Sequence, residues 1–225
     1  MRSLYGRFVF PWLLESSIGG DDAAKERAKA LESVHGEVLE VGFGTGLNLP
    51  HYPASVRRLV ALDPEEMLPQ KVLQRIAAAG FPVERVRQSG ERLPFHAGQF
   101  DCVVTTWTLC TIADPASALS EIRRVLKTGG SYVFYEHGLS ADPKMARLQD
   151  WVNPLWKLSG IGCGCSINRP IDSLICQAGF QIASLERYVL RRPRIMLEMY
   201  RGVANPRAKL TAAELDSLQN VSTAH

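Results

Sequence analysis

Between residues 40 and 46 the chain reads Glu40-Val41-Gly42-Phe43-Gly44-Thr45-Gly46, directly after the apolar pair Val38-Leu39. Closely spaced glycines after a buried strand let backbone N–H groups approach a ligand, at the positive end of a following helix. Glu40, two positions before the first glycine, is the part a dinucleotide site does not ask for. A carboxylate repels a pyrophosphate and attracts a cation. The turn therefore points to a cofactor that carries positive charge, such as S-adenosylmethionine (SAM) with its sulfonium and ammonium groups, ahead of NAD.

Further candidates follow at intervals that a strand-and-helix alternation would bring together. Asp63 lies seventeen positions beyond Gly46, where a carboxylate can accept hydrogen bonds from both hydroxyls of an adenosine ribose. Followed by Pro64, it is also a good helix N-cap, and one carboxylate can do both. Met67 could lie against the adenine ring, and Gly90 or Glu91, after Ser89, could meet the adenine amino group. Thr106 and Trp107 should run beside the methionine part of the cofactor, with Cys110 close to the reacting group. His137 follows Glu136, and a histidine side chain there could accept a proton from a nucleophile, a satisfied structural histidine being the alternative. Cys163 and Cys165 sit in a glycine-flanked stretch where they could shape a pocket or react.

The elements that must position these residues alternate. Asp21-Asp22 can cap a helix carrying Ala24, Ala28, Leu31 and Val34. Strand 1 is expected at about 37–41. Strand 2 is expected from Val56 to Leu62, and a helix from Pro64 to Gly80. Val83 to Gln88 and Phe100 to Thr106 read as strands 3 and 4. A helix then starts at Asp114-Pro115 and ends at Thr128-Gly129-Gly130, before a strand from Tyr132 to Tyr135. A Trp-rich insertion, a helix from Pro170 to Ala178, and two strands at 180–190 and 195–201 close the pattern. Such alternation predicts an α/β fold with a doubly wound, mostly parallel sheet whose ligands bind at the carboxyl ends of the strands. We expect an N-terminal helical cap at 1–35 and a cofactor-binding domain at 36–202 with a substrate-side insertion at 140–168. A tail at 203–225 completes the expected organisation.

Composition restricts the partners. A chain of 225 residues, 46% apolar and 22% charged, is an ordinary globule of one α/β domain. A formal charge of +3 does not suggest nucleic acid. Five cysteines with no disulfide framework suggest a cytoplasmic protein, and no His or Cys pair completes a zinc site with Cys163-Gly164-Cys165. The apolar run Phe8 to Leu14 is too short to span a bilayer. It is expected to pack over the core, the alternative being a cap over a greasy pocket or a foot on a membrane surface.

Taken in order, Glu40-x-Gly42-x-Gly44-x-Gly46, Asp63, Leu93-Pro94-Phe95, Phe100-Asp101 and Arg124-Val125-Leu126-Lys127-x-Gly129-Gly130 resemble the motifs of the class I SAM-dependent methyltransferases. A narrower resemblance, to the methyltransferase-like 7 group and its bacterial relatives, rests on several further motifs. They are Gly46-Leu47-Asn48-Leu49-Pro50, Tyr52-Pro53, Thr108-Leu109-Cys110, Glu136-His137, Gly162-Cys163 and Asn168-Arg169. That group includes alkyl thiol methyltransferases. Bacterial phosphatidylethanolamine N-methyltransferases resemble the first half as well. Ser89 departs from the acidic residue many class I enzymes place against adenine. The N-terminal stretch reads as too short and too charged for the membrane anchor of the animal proteins, so membrane residence is not expected to carry over.

The resemblance implies a seven-stranded sheet in the order 3-2-1-4-5-7-6 with strand 7 antiparallel. It also implies in-line methyl transfer from SAM, leaving S-adenosylhomocysteine. A small apolar acceptor, most simply a thiol, asks least of a base, since its pKa lies near ~8.5. A lipid headgroup acceptor is the alternative, with residues 4–14 and Arg191-Arg192-Pro193-Arg194 at a membrane surface. An NAD-dependent oxidoreductase is disfavoured by Glu40 and by Leu47, where a third-glycine spacing would need glycine. A non-catalytic SAM-binding protein is a fourth reading.

Overall fold

A computed structural model of the chain describes residues 15, 20–158, 164–189 and 198–207. The run Phe8 to Leu14, Cys163 and the basic cluster at 191–194 lie outside the described residues. Seven strands form one sheet in the order β3-β2-β1-β4-β5-β7-β6. They are β1 Gly36–Val41, β2 Val56–Leu62, β3 Val83–Val86, β4 Phe100–Thr106, β5 Leu126–Gly138, β6 Phe180–Val189 and β7 Glu198–Pro206. Pairing is parallel from β3 to β5, while β7 runs antiparallel to both β5 and β6. The helices are α1 Asp21–Leu31, α2 Pro69–Ala77, α3 Pro115–Val125, α4 Pro143–Leu158 and α5 Ile171–Gln177.

Period-two alternation divides the strands between two cores. On one face Leu39, Val41, Val103, Tyr132 and Phe134 pack under Leu119, Ile122 and Ile175 of α3 and α5. On the other, Val38, Ala61, Val104 and Val133 pack under Leu31 of α1 and Val72 of α2. Continuing that second alternation by two or four residues places Glu40, Thr106, Tyr135 and His137 beneath α1. Strand order reverses between β1 and β4, so their carboxyl ends open the crevice in which doubly wound sheets bind ligands.

Several element boundaries differ from the sequence reading. Gly20, not Asp21 or Asp22, precedes α1; the two aspartates fill its first turn, where their charge complements the helix dipole. The buried stripe of α1 is Arg27, Ala30 and Leu31, whereas Ala28 is exposed; Val34, expected in the helix, is buried beyond its end. Helix α2 begins at Pro69 rather than Pro64, because Asp63 Oδ1 accepts from Glu65 N at 2.8 Å and forms a turn there instead. Strand β3 ends at Val86. Helix α3 stops at Val125, and β5 begins at Leu126, six residues before Tyr132. A register shift opposite Phe100 and Cys102 accommodates Gly129-Gly130 within the strand. Strand β7 spans Glu198–Pro206, so residues 203–206 pair in the sheet and are not tail.

Candidate active site

Gly42 shows why the turn after β1 needs glycine. Its φ is +80°, and a Cβ there would lie 2.1 Å from Thr108 Oγ1, so the segment after β4 crosses directly over it. Gly42 N and Phe43 N donate to Leu62 O at 2.8 and 3.2 Å, which ties the turn to the end of β2. Gly44 also has positive φ, and open space lies beyond its Cα. Its N–H donates to Asp63 Oδ2 at 2.8 Å. Thr45 is buried, and its carbonyl accepts from Arg75 at 2.7 Å. Gly46 closes the turn through its N–H to Phe43 O.

Glu40 is fully buried, with Oε1 accepting from Asn48 Nδ2 and Oε2 from Tyr52 O–H, both at 2.8 Å. Burial pushes its pKa up to about 7, opposed by these two hydrogen bonds and by the Arg27 charge. Burial likewise raises Asp63 to about 6, against the Gly44 hydrogen bond. Each Asp63 oxygen accepts one backbone N–H and retains a lone pair for a ligand hydroxyl.

At the end of β4, Thr106 Oγ1 accepts from Asn48 Nδ2 at 3.0 Å and from Arg27 Nη1 at 3.3 Å. Trp107 then takes φ +56°, a left-handed conformation that costs a bulky residue about 1–3 kcal/mol. Its N–H donates to Tyr135 O, and its ring meets those of Tyr135 and His137 with centroids 6.1 and 5.3 Å away. Glu136 holds the following residues: its Oε2 accepts from Thr108 N and Leu109 N at 2.9 and 3.1 Å. Burial raises its pKa to about 7. Glu136 therefore positions the loop.

Cys110 is buried, and its thiol donates to Trp107 O at 3.5 Å. Cys165 accepts from Trp156 Nε1 at 3.2 Å and is flanked by Cys110 and His137. Cys110 beside it pulls the Cys165 thiol down, helped by His137, while Cys165 and burial push the Cys110 thiol up. The imidazole of His137 is buried, with Nδ1 lacking a partner.

Other expected contacts lie further out. Met67 is half-buried in the loop before α2. Gly90 is buried, and a Cβ on it would lie 2.6 Å from Val41 Cγ1. Glu91 is engaged with Asp114 N at 2.8 Å and Ser89 Oγ at 3.1 Å, so it braces the start of α3. Among the described residues no group of His, Cys, Asp and Glu could hold a metal ion.

The family description "Methyltransferase domain" matches residues 39–134. Thiol S-methyltransferase TMT1B of Homo sapiens is 33% identical over 171 residues, 71% of this chain and 66% of that protein. The chain belongs to the class I SAM-dependent methyltransferases. Phosphatidylethanolamine N-methyltransferase of Cereibacter sphaeroides is 35% identical over 104 residues, 45% of this chain and 51% of that protein. The structure of 1,6-didemethyltoxoflavin-N1-methyltransferase of Burkholderia thailandensis, with S-adenosylhomocysteine bound, superposes with a TM-score of 0.59 at 16% identity. That match covers 89% of this chain and 88% of that one and shows the shared fold. This methyltransferase chain spans 66% of the length of the thiol methyltransferases it matches first.

The residues fit SAM, the cofactor of this family. Glu40 is a buried carboxylate of the charge a cationic cofactor asks for, Asp63 keeps acceptor capacity that a ribose could use, and nothing lies within 4 Å of where a Cβ at Gly44 would stand. Arg27, which bears on this site, escaped sequence reasoning, and Asn48 and Tyr52 entered it only as parts of the narrower resemblance's motifs, with no site role. The usable signal for Arg27 was its place four and seven positions before Leu31 and Val34, on the buried stripe.

Proposed function

We propose that this methyltransferase transfers the SAM methyl group to the sulfur of a small apolar thiol. The observation that carries the reading is the Cys110, Cys165, His137 and Trp156 cluster at the end of β5. There the Cys165 sulfur is lowered by its neighbours Cys110 and His137 and accepts from Trp156, surroundings that suit a sulfur nucleophile. Similarity to the thiol S-methyltransferases supports it. When bound, SAM supplies an electrophilic methyl on a sulfonium. Glu40 and Asp63 bind and orient the cofactor, and the glycine turn fixes its approach. Trp107, Tyr135 and the buried wall of β5 exclude water from the reaction. His137 Nδ1, without a protein partner, can take up the proton that a thiol gives up as it enters.

A second reading keeps the chemistry and takes a lipid amine as acceptor. Helix α4 favours it, since Trp151, Leu155 and Leu158 are 73%, 60% and 84% exposed along one face with Leu148, beside Lys144 and Arg147. Among the described residues no helix is long and apolar enough to cross a membrane. A surface contact would suit such a face.

Methyl-labelled SAM offered with alkyl thiols, phenols, quinones and phosphatidylethanolamine vesicles decides between the two. Label is expected in the S-methyl product of the thiols. Label confined to lipid amine would replace the first reading by the second. No label, with S-adenosylhomocysteine still bound, would leave a non-catalytic cofactor-binding protein.

A further inference from the structure

Two cysteines meet where the turn after β4 touches the segment before α5. Cys110 and Cys165 belong to one buried cluster with Ile167, packed against Val152 and Trp156 of α4. Ser166 N, the amide that follows Cys165, donates to Cys110 O at 2.8 Å, so the two backbones are neighbours across a single hydrogen bond. Chains joined in this way run at roughly the Cα separation that a disulfide spans, about 4.4–6.8 Å. The two thiols also interact side chain to side chain.

Their surroundings make the pair unequal. Cys110 and His137 pull the Cys165 thiol down, and its sulfur accepts from Trp156 Nε1 at 3.2 Å. The Cys110 thiol is pushed up by Cys165 and by burial, and it donates to Trp107 O at 3.5 Å. Cys165 is also the more open of the two, 9% exposed against 2%. A lowered, reachable thiol beside a second, raised one is the arrangement of an attacking and a resolving cysteine. Among the described residues the other free cysteines, Cys102 and Cys176, lie outside this cluster.

We propose that Cys110 and Cys165 are a reversible dithiol–disulfide pair that responds to a peroxide and resets the turn carrying Trp107. In the first step the Cys165 sulfur attacks hydrogen peroxide. The O–O bond breaks, one oxygen leaves as water with a proton from solvent, and Cys165 carries a sulfenic acid. In the second, the Cys110 sulfur attacks Cys165, and its proton leaves with the hydroxyl as a second water. The cysteines have given two electrons to the peroxide, and an added thiol or phosphine returns them. Closing the bridge takes the Cys110 S–H from Trp107 O and ties this turn, left-handed at Trp107, to the segment before α5. Thr108 of the same turn crosses Gly42, so the displacement reaches the glycine turn. The oxidation is the same whichever acceptor the protein methylates.

Non-reducing peptide mapping of the full chain, before and after a small excess of hydrogen peroxide, tests the pair. The intact mass is expected to lose two hydrogens, with one cross-linked peptide pair holding Cys110 and Cys165. Tris(2-carboxyethyl)phosphine, a reductant that offers no thiol to methylate, should reverse it. Cys110→Ser is expected to stop at a sulfenic acid on Cys165 that dimedone traps, and Cys165→Ser to leave Cys110 unoxidised. Oxygen added to wild-type Cys165 without a bridge, a bridge from Cys165 to Cys163, or no reaction overturns the pair, and none of these readings needs a variant. Calorimetric titration then reads the turn: the bridged protein is expected to bind S-adenosylhomocysteine about 10-fold more weakly, the scale of a small misplacement in a site. Reduction should restore the affinity. A bridge that leaves affinity unchanged overturns the effect on the turn, whereas reduced protein that binds no S-adenosylhomocysteine overturns the methyltransferase reading instead.

Discussion

Asp63 links two tasks that are usually described separately. Its carboxylate receives the N–H of Gly44 at 2.8 Å and that of Glu65 at 2.8 Å, so it builds the glycine turn and the loop after β2 at once. The same oxygens keep lone pairs that a ribose hydroxyl could use. Asp63→Ala is therefore expected to weaken S-adenosylhomocysteine binding by about 100-fold, since two charge-assisted hydrogen bonds are lost. It should also lower stability by about 1–2 kcal/mol through the orphaned backbone donors. Asp63→Asn separates the effects, keeping an acceptor for one N–H while losing the charge. Isothermal titration with a parallel melt reads both quantities, and affinity unchanged in Asp63→Ala would remove this residue from the cofactor site. Glu40, the glycines and Asp63 were readable because their signal is local: an acidic residue and small residues at strand ends, at fixed spacing. Arg27 was not, and Asn48 and Tyr52 were visible only as members of the Gly46-Leu47-Asn48-Leu49-Pro50 and Tyr52-Pro53 motifs, without a site role. Their role depends on α1 and the turn at 49–51 folding back over β1, and an arginine within an apolar stripe reads as an ordinary surface cation.

At the level of elements, the site depends on where β5 stops. Gly138 ends the strand, and a Cβ there would lie 2.3 Å from the carbonyl oxygen of Arg169 and 2.8 Å from Ile171 Cγ1. That close passage lets Leu139 N donate to Arg169 O at 2.8 Å and lets the Arg169 guanidinium reach Leu109 O. Gln149 completes the link, its Nε2 donating to Gly138 O and Ile167 O. The end of β5, the loop before α5 and helix α4 are thus tied to one another. Gly138→Ala must push backbone against backbone, with an expected loss of about 3 kcal/mol and a melting point lower by roughly 6–12 °C. Gly80→Ala, with nothing within 4 Å, should stay within about 0.5 kcal/mol. Thermal melts of the two variants check the contrast, and a neutral Gly138→Ala would mean that these segments do not meet this closely. Element identity was largely legible from apolar periodicity, as β4 at Phe100–Thr106 shows. Boundaries set by side chains from elsewhere were not. Asp63 delays α2 by capping a turn, and pairing with β4 lengthens β5 back to Leu126.

Across the whole molecule, acidity is unevenly distributed. The crevice at the ends of β1, β2 and β5 holds three carboxyls raised chiefly by burial, Glu40 and Glu136 to about 7 and Asp63 to about 6. The outer surface holds carboxylates shifted the other way. Lys127 and the N–H of Glu37 lower Asp101 against burial, and Arg124 lowers Glu121. For the raised groups the folded state holds more protons than the unfolded one, between 4.5 and about 7 for Glu40 and Glu136 and between 3.8 and about 6 for Asp63. Their contribution to stability is complete below that window and disappears as pH climbs through it, by up to ~1.4 kcal/mol per pH unit for each proton difference. The lowered surface groups act oppositely, losing their contribution as pH falls through their depressed values. The ligand-free protein is therefore expected to be most stable in mildly acidic solution and to melt several degrees lower at pH 8 than at pH 5.5. SAM reverses the trend, because a cation binds to ionised Glu40 and binding grows stronger as that group loses its proton. Glu40→Gln removes the largest part of this coupling, so its cofactor-induced rise in melting temperature should be nearly flat with pH. Differential scanning fluorimetry from pH 5 to 8.5, with and without SAM, reads all four curves. A ligand-free melting point that climbs towards pH 8, or a SAM effect equally pH-independent in wild type and Glu40→Gln, would show that the crevice carboxyls are ionised throughout and that burial does not govern their charge.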